Sequence, residues 1–339
     1  MTIPCFDGHN DVLLKIWLSE NLSVESFIDG HEDLHVDLVK AQKGGLVGGL
    51  CAAFPPSLNN HSSSETPQLS HDIARQATFA MADLFKKIEC AAPESFQCCK
   101  TTQDISAAIS NQKFAAVFHI EGAEAISEGL DELYELHNLG LRSLGPVWSR
   151  PNIFGHGVPF RFPSSPDIGP GLSEAGKRLI KTCDELGIII DLSHLNEKGF
   201  WDVAKYSQKP LVATHSNAHH ICQQSRNLTD KQLHAIRDSD GLVGVNFGVK
   251  FLRPDGERIE KTPLKIITDH MRYMVDIMGI DHVAFGSDFN GTTLPYELRD
   301  CSLLPNLIIT MKEAGFHNDE IEKIALKNFL SLLKRSWND

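Results

Sequence analysis

The sequence is short of positive charge and lacks several signals that would assign it to other classes. Its 339 residues carry 32 Lys and Arg against 44 Asp and Glu, a formal net charge of −12. Nucleic acid and anionic membrane surfaces need a basic footprint, so neither is an expected partner. No run of about 18 apolar residues exists, the length that crosses a bilayer. The first four residues show no cationic stretch leading into an apolar one, and Asp7 follows at once. The eight Cys are scattered and include no C-x-x-C pair. That spacing reads as reduced thiols and not as a disulfide framework, which makes the cytoplasm the expected location. Internal repeats are absent, and the first apolar run is not followed by the Gly-rich turn of a doubly wound dinucleotide fold.

What the chain does have is a rhythm of short apolar runs, turn residues and segments with helical spacing. The runs lie at 4–9, 46–54, 114–120, 141–147, 187–192, 211–215, 242–247 and 282–288. Nearly continuous apolar runs mark strands buried on both faces of a parallel sheet. Helical spacing falls between them, at 70–89, 129–139, 173–186, 197–207, 229–238 and 263–278. Eight strands with helical connections predict one distorted (β/α)₈ barrel domain of TIM type over 1–339. Two further helices over 303–337 are expected to pack outside it. A polar loop spans 57–70. The longest irregular stretch is 150–176, where ten of the 26 residues from Pro151 to Gly176 are Gly or Pro. It follows the fourth strand, so it should roof the catalytic face.

The opening stretch "CFDGHNDVLL" carries Asp7, His9 and Asp11 at every second position. On a strand such residues share one face. Strand three ends at Glu121, strand five at His194, strand six at His215 and strand eight at Asp288. Barrel active sites sit at the C-terminal ends of strands, so these groups should converge. His, Asp and Glu without Cys suit a divalent metal, with Zn²⁺ first and Mn²⁺, Co²⁺ or Fe²⁺ also compatible. Five ligands, His9, Asp11, Glu121, His194 and His215, exceed what one tetrahedral ion takes from a protein. They fit two ions sharing a carboxylate. The same H-x-D spacing recurs at His35–Asp37 and His317–Asp319, away from strand ends, and there it reads as structural. His119 is expected to pack against a helix. His219 and His220 are expected to support the metal ligands or cap a helix. His61, His71, His137, His234, His270 and His282 read as surface or helix-end residues, and Trp17, Trp201 and Trp337 as packing.

With these residues in view, the chain resembles the membrane (renal-type) dipeptidase family, peptidase family M19. The matching stretches are "DGHND", "IEGAEAI", "LGLRSL", "DLSHL", "THSNAHHICQQSRN" and "GSDFNG", in family order from about residue 4 to 330. The resemblance implies a distorted barrel, a binuclear zinc centre, often a homodimer, and dipeptide substrates. It places His9 and Asp11 on one metal and His194 and His215 on the other, with Glu121 bridging. Asp288 matches the family's acid/base carboxylate, and Arg226 matches the arginine that grips the substrate's terminal carboxylate. The implied reaction is attack of a metal-bridged hydroxide on the amide, with Asp288 carrying the proton to the leaving amine.

One departure bears on substrate. The family's peptidases carry His in a strand-four "LTLTHS" motif, where this chain has "LGPVWSRPNIFGHG" with Trp148 in that place. Tryptophan donates one N–H and cannot become a cation. Either His156 or Arg150 from the roof loop substitutes, or the substrate is not an ordinary dipeptide. Two alternatives to a dipeptidase therefore stay open: a metal-dependent amidohydrolase or deacylase on another amide, and a weakly active metal-binding accessory barrel. The secretion signal and lipid-anchor tail of the renal type find no match in these residues. Pro254 falls near the place of that enzyme's disulfide partner for the cysteine matching Cys222.

Overall fold

A computed structural model of the chain describes residues 2–57 and 69–337. Nine strands form one sheet in which every pairing is parallel: β1 (Cys5–Asn10), β2 (Leu46–Ala53), β3 (Phe96–Cys98), β4 (Phe114–Glu121), β5 (Leu141–Gly145), β6 (Ile189–Ile190), β7 (Val212–Ser216), β8 (Leu242–Val245) and β9 (Val283–Phe285). Their order is β6-β5-β4-β2-β1-β9-β8-β7, and a parallel bridge between Asp191 and Val212 joins the two ends into a barrel. The ninth strand, β3, pairs with residues 114–116 of β4 below the point where β5 takes over that edge. The polar loop at 58–68 and His61 lie outside the described residues.

The barrel is distorted for a steric reason. The Thr214 carbonyl of β7 lies so close to Gly8, Gly244 and Gly286 that a β-carbon at any of them would collide with it. Three strands can close around that carbonyl because each contributes a glycine where they meet it. β1 also breaks register between Asp7 and Asn10. The three acidic and basic side chains of the opening stretch therefore do not form one row. Asp7 turns to Ser287, accepting from its amide (2.7 Å) and its hydroxyl (2.7 Å). It fixes the segment that follows β9 and does not join His9 and Asp11.

Helices begin and end close to the expected positions because their caps are written in the sequence. Ser70, Thr101, Ser173 and Asn196 each accept a backbone N–H of the first turn, and Gly45, Gly140 and Gly187 close helices in the left-handed conformation. Asp37 caps the helix Leu38–Gly44 through the Lys40 amide (2.7 Å), so the first stray H-x-D pair is a cap. The second opens the helix Asn318–Glu322.

The tail does more than pack outside. In the helix Asn328–Ser336, Phe329, Leu332 and Leu333, together with Trp337, meet Phe6, Leu50, Val117, Val212, Leu242 and Ala284 from six strands. Those strand residues lie before the polar strand ends, so the last helix seals the barrel floor. Trp17 and Trp201 are half-exposed, unlike Trp337.

Two histidines depart from expectation. His270 is fully buried: its Nδ1 accepts from the Ala218 amide (3.1 Å) and its Nε2 donates to the Leu252 carbonyl (2.9 Å). It stitches the segment after β7 to the short helix after β8. His119 faces the barrel interior, because residues two apart on a strand share a face and Glu121 is two residues on. Its ring meets His9 edge-on at 5.3 Å.

Candidate metal centre and active site

The polar strand ends meet at one buried point, the Oε1 atom of Glu121. His194 Nε2 lies 2.8 Å from it, His215 Nε2 3.3 Å and His9 Nε2 3.8 Å. His9 Nε2 is also 3.4 Å from Asp11 Oδ2. Two ligand trios result, His9–Asp11–Glu121 and Glu121–His194–His215, sharing the glutamate.

The donor chemistry fits metal ions. Both ring nitrogens of His9 and Asp11 Oδ1 are buried with no hydrogen-bond partner. Such orphans are costly unless a ligand satisfies them. His194 Nε2 and His215 Nε2 approach to 3.2 Å, a pair of lone-pair donors facing each other. Burial pushes Glu121 well above the ordinary carboxylate range, with Asp11 and Asp288 adding repulsion. Burial pushes His9 down, but Glu121 and Asp11 outweigh it and carry His9 up to about 10. The cluster thus calls for positive charge, and a cation supplies it without a proton. His194 and His215 are held well below their ordinary value by burial, and so stay neutral as metal ligation requires.

Hydroxyl groups at the far ring nitrogens set the imidazoles. Ser149 Oγ lies 2.8 Å from His194 Nδ1, and Thr214 Oγ1 lies 2.9 Å from His215 Nδ1. At His215 a proton on Nδ1 shared with Thr214 leaves Nε2 free to bind metal, while His194 Nδ1 lies between Ser149 Oγ and the Arg226 Nε–H. A third trio, His9–Asp191–His215, is also close enough to hold an ion. Asp191, however, already accepts from Ser193 N (3.0 Å), Ser193 Oγ (2.6 Å), Thr214 N (2.9 Å) and Thr214 Oγ1 (2.6 Å). Its oxygens are engaged, so it acts as a support. His119 completes this layer, bonded through Nδ1 to Ser143 Oγ (2.9 Å).

Asp288 sits beside the cluster in a left-handed conformation, φ 60°. Non-glycine residues visit that region sparsely, and such positions gather at functional sites. Burial, and then the Asp11 charge, push its carboxyl up to about 6. The Asn246 side-chain amide donates to it at 2.9 Å. Gly291 makes room, since a β-carbon there would strike both the Asp11 and the Asp288 carboxylates.

Arg226 is buried with its guanidinium against the second trio. It reaches His194 Nδ1 (3.2 Å), Ser216 Oγ (2.8 Å) and the His215 carbonyl (3.0 Å). Trp148 stands over the same trio, 5.9 Å from the His194 ring, between Phe54 (5.0 Å) and Phe160 (5.4 Å). Arg150 takes a different role from the expected substrate contact. It is buried, donating to Glu124 (2.6 Å), the Pro55 carbonyl (2.7 Å) and Ser57 (3.1 Å), and its guanidinium lies against Phe54 and Trp148. Its donors are committed behind the aromatic wall. His156 forms a bridge with Pro151 in the roof loop, and its carbonyl accepts from Asn196 (3.2 Å). Among the described residues no contact joins it to the five ligands. His219 bonds the Ser164 carbonyl (2.9 Å) and His220 stacks on Tyr273 (4.8 Å), so neither supports the metal ligands.

Sequence reasoning missed Asp191, His119, Ser149 and Asn246. A signal existed for two of them: His119 by its two-residue spacing from Glu121, Asp191 by its place at a strand end in "DLSH". Ser149 and Asn246 carry no such mark. Lys250, whose ammonium is 3.8 Å from the Phe160 ring centre, was likewise unmarked.

Comparison with known proteins agrees with this geometry. The family model for membrane dipeptidase, peptidase family M19, matches residues 1–337. An uncharacterized protein in the pqqA 5′ region of Klebsiella pneumoniae is 51% identical over 239 residues, covering 70% of this chain and 88% of its own. A solved metallopeptidase of Rhodobacter sphaeroides, liganded with a phosphinate mimic of the dipeptide L-Ala-D-Ala, is 43% identical, with TM-score 0.97 over 99% of this chain and 100% of that one. Another solved structure, the M19 metallopeptidase called dipeptidase AC, is 44% identical with TM-score 0.97 over the full length of both. The chain belongs to the membrane dipeptidase family, peptidase family M19, and is a metallodipeptidase.

Proposed function

We propose that the protein hydrolyses dipeptides with two zinc ions held by His9, Asp11, Glu121, His194 and His215. The observation that carries this reading is the single carboxylate oxygen of Glu121 shared by imidazoles from three other strand ends. A pair of divalent ions in that position supplies a nucleophile from water at neutral pH and positive charge for the carbonyl oxygen.

The protein's own residues supply the rest. Asp288, raised to about 6, accepts the proton of the attacking water and returns it to the leaving amine. Its donor Asn246 and the tight turn at Gly291 hold the carboxylate in place. Arg226 takes the C-terminal carboxylate of the substrate and so orients the amide. Trp148, Phe54 and Phe160 form the wall against the substrate's side chains and keep water out. The dipeptide mimic bound by the Rhodobacter sphaeroides relative supports the substrate class. Trp148 in place of a histidine favours a second reading, hydrolysis of an amide other than a dipeptide.

Turnover of a panel of L,L and L,D dipeptides, with and without chelator, tests the proposal. Chelator-sensitive hydrolysis is expected. Absence of any turnover by protein carrying about two metals per chain would favour the second reading.

A further inference from the structure

The short helix Val249–Leu252 follows β8 and sets Lys250 at the rim of the barrel. Its ammonium is 3.8 Å from the ring centre of Phe160 and 4.5 Å from that of Phe251. Aromatic faces hold a cation in place without neutralising it. Among the described residues no carboxylate pairs with Lys250, and burial followed by the Arg258 charge pushes its ammonium down to about 8. Arg226 lies over the same Phe251 ring, 5.9 Å from its centre. Two cations therefore flank one aromatic ring in a half-dry mouth. The Asp288 charge acts on both without bonding Lys250, and an anion at the ammonium would relieve the remaining repulsion. Arg226 gives one N–H each to His194, Ser216 and the His215 carbonyl and keeps two of its five for a carboxylate, whereas the three N–H groups of Lys250 have no acceptor among the described residues.

We infer that Lys250 reads an acidic side chain on the C-terminal residue of the substrate, making dipeptides that end in Asp or Glu the preferred class. The inference rests on the proposed reading in which Arg226 takes the terminal carboxylate. Sharing Phe251 with Arg226 places Lys250 beside the side chain of that same residue. Asp11 and Glu121 line the metal side of the site, where a second negative charge would be repelled, and Asp288 acts on Lys250 and Arg226 from between. Phe160 ties the two regions, packing on Phe251 at 5.8 Å and on Trp148 at 5.4 Å.

The test compares kcat/KM for Ala-Glu against Ala-Gln, and Ala-Asp against Ala-Asn, in zinc-loaded wild type, Lys250→Met and Lys250→Arg. Each acid differs from its amide mainly in charge, so the ratio within one preparation cancels any general loss of activity. Wild type is expected to favour the acid by about 10- to 100-fold, carried mostly by KM. Lys250→Met brings the ratio near one, and Lys250→Arg restores most of it. Equal ratios in wild type and Lys250→Met overturn the inference even if every dipeptide is cleaved. If none is cleaved, the dipeptidase reading fails instead, and reduced-amide analogues of Ala-Glu and Ala-Gln decide the inference by their shifts in melting temperature. A larger shift with the acid analogue, lost in Lys250→Met, supports it; equal shifts overturn it.

Discussion

The amide of Asp288 donates to the carbonyl of His9 at 3.0 Å. Asp288 is thus positioned by the backbone of His9, the proposed metal ligand on the first strand, across almost the whole length of the chain. The reverse bond, from the Asp11 amide to the Phe289 carbonyl (2.8 Å), closes the pair. The two bonds tie the backbone of His9–Asp11 to that of Asp288–Phe289.

That coupling makes Asp288→Asn an informative change. Asparagine keeps the size and can still accept from Asn246, but it cannot take a proton at neutral pH. Turnover should fall about 10²- to 10⁴-fold while bound metal is unchanged. Kinetics and elemental analysis on the same sample check this, and a parallel loss of metal would mean that Asp288 is itself a ligand.

Glu121→Gln separates charge repulsion from metal binding. Burial and the neighbouring Asp11 and Asp288 destabilise the Glu121 carboxylate in the metal-free protein. Removing its charge should leave the metal-free melting temperature equal or higher, and should abolish most of the rise that added zinc gives the wild type. Melting curves with and without zinc measure both effects.

His270 predicts a pH dependence of stability away from the metal site. Burial holds its folded-state pKa at about 4, and its Nδ1 must stay unprotonated to accept from Ala218. The unfolded chain protonates it near the ordinary value of about 6.5. Its contribution is therefore complete above that pH and is lost as pH falls toward 4, a change of roughly 3 kcal/mol. Denaturant titrations between these limits should show a shallower slope in His270→Gln than in wild type.

Phe329→Ala opens the floor of the barrel beneath Phe6, whose ring centre is 5.2 Å away. A cost of about 3–5 kcal/mol is expected for emptying such a position. Turnover per folded molecule should be retained, because the strand residues Phe329 touches lie below the polar ends.

The fold was legible because parallel strands buried on both faces read as apolar runs, and because Ser70, Ser173 and Asn196 announce their helices. The convergence of His9, Asp11, Glu121, His194 and His215 was legible because charge at successive strand ends has no packing explanation. Where the reading failed, the cause was local. The register break in β1 separated Asp7 from His9. His270 reads in the sequence as a surface or helix-end residue because its two backbone partners, Ala218 and Leu252, are distant along the chain. Arg150 looked available until Glu124, Pro55 and Ser57 claimed its donors. Tertiary partners of this kind leave no mark on spacing.

Stepwise addition of zinc to chelated protein, with dipeptide turnover and bound metal followed together, tests the central claim most directly. The account predicts that activity rises with occupancy and reaches its plateau at about two ions per chain. Full activity in the metal-free protein, or at a single bound ion, would contradict the shared role of Glu121.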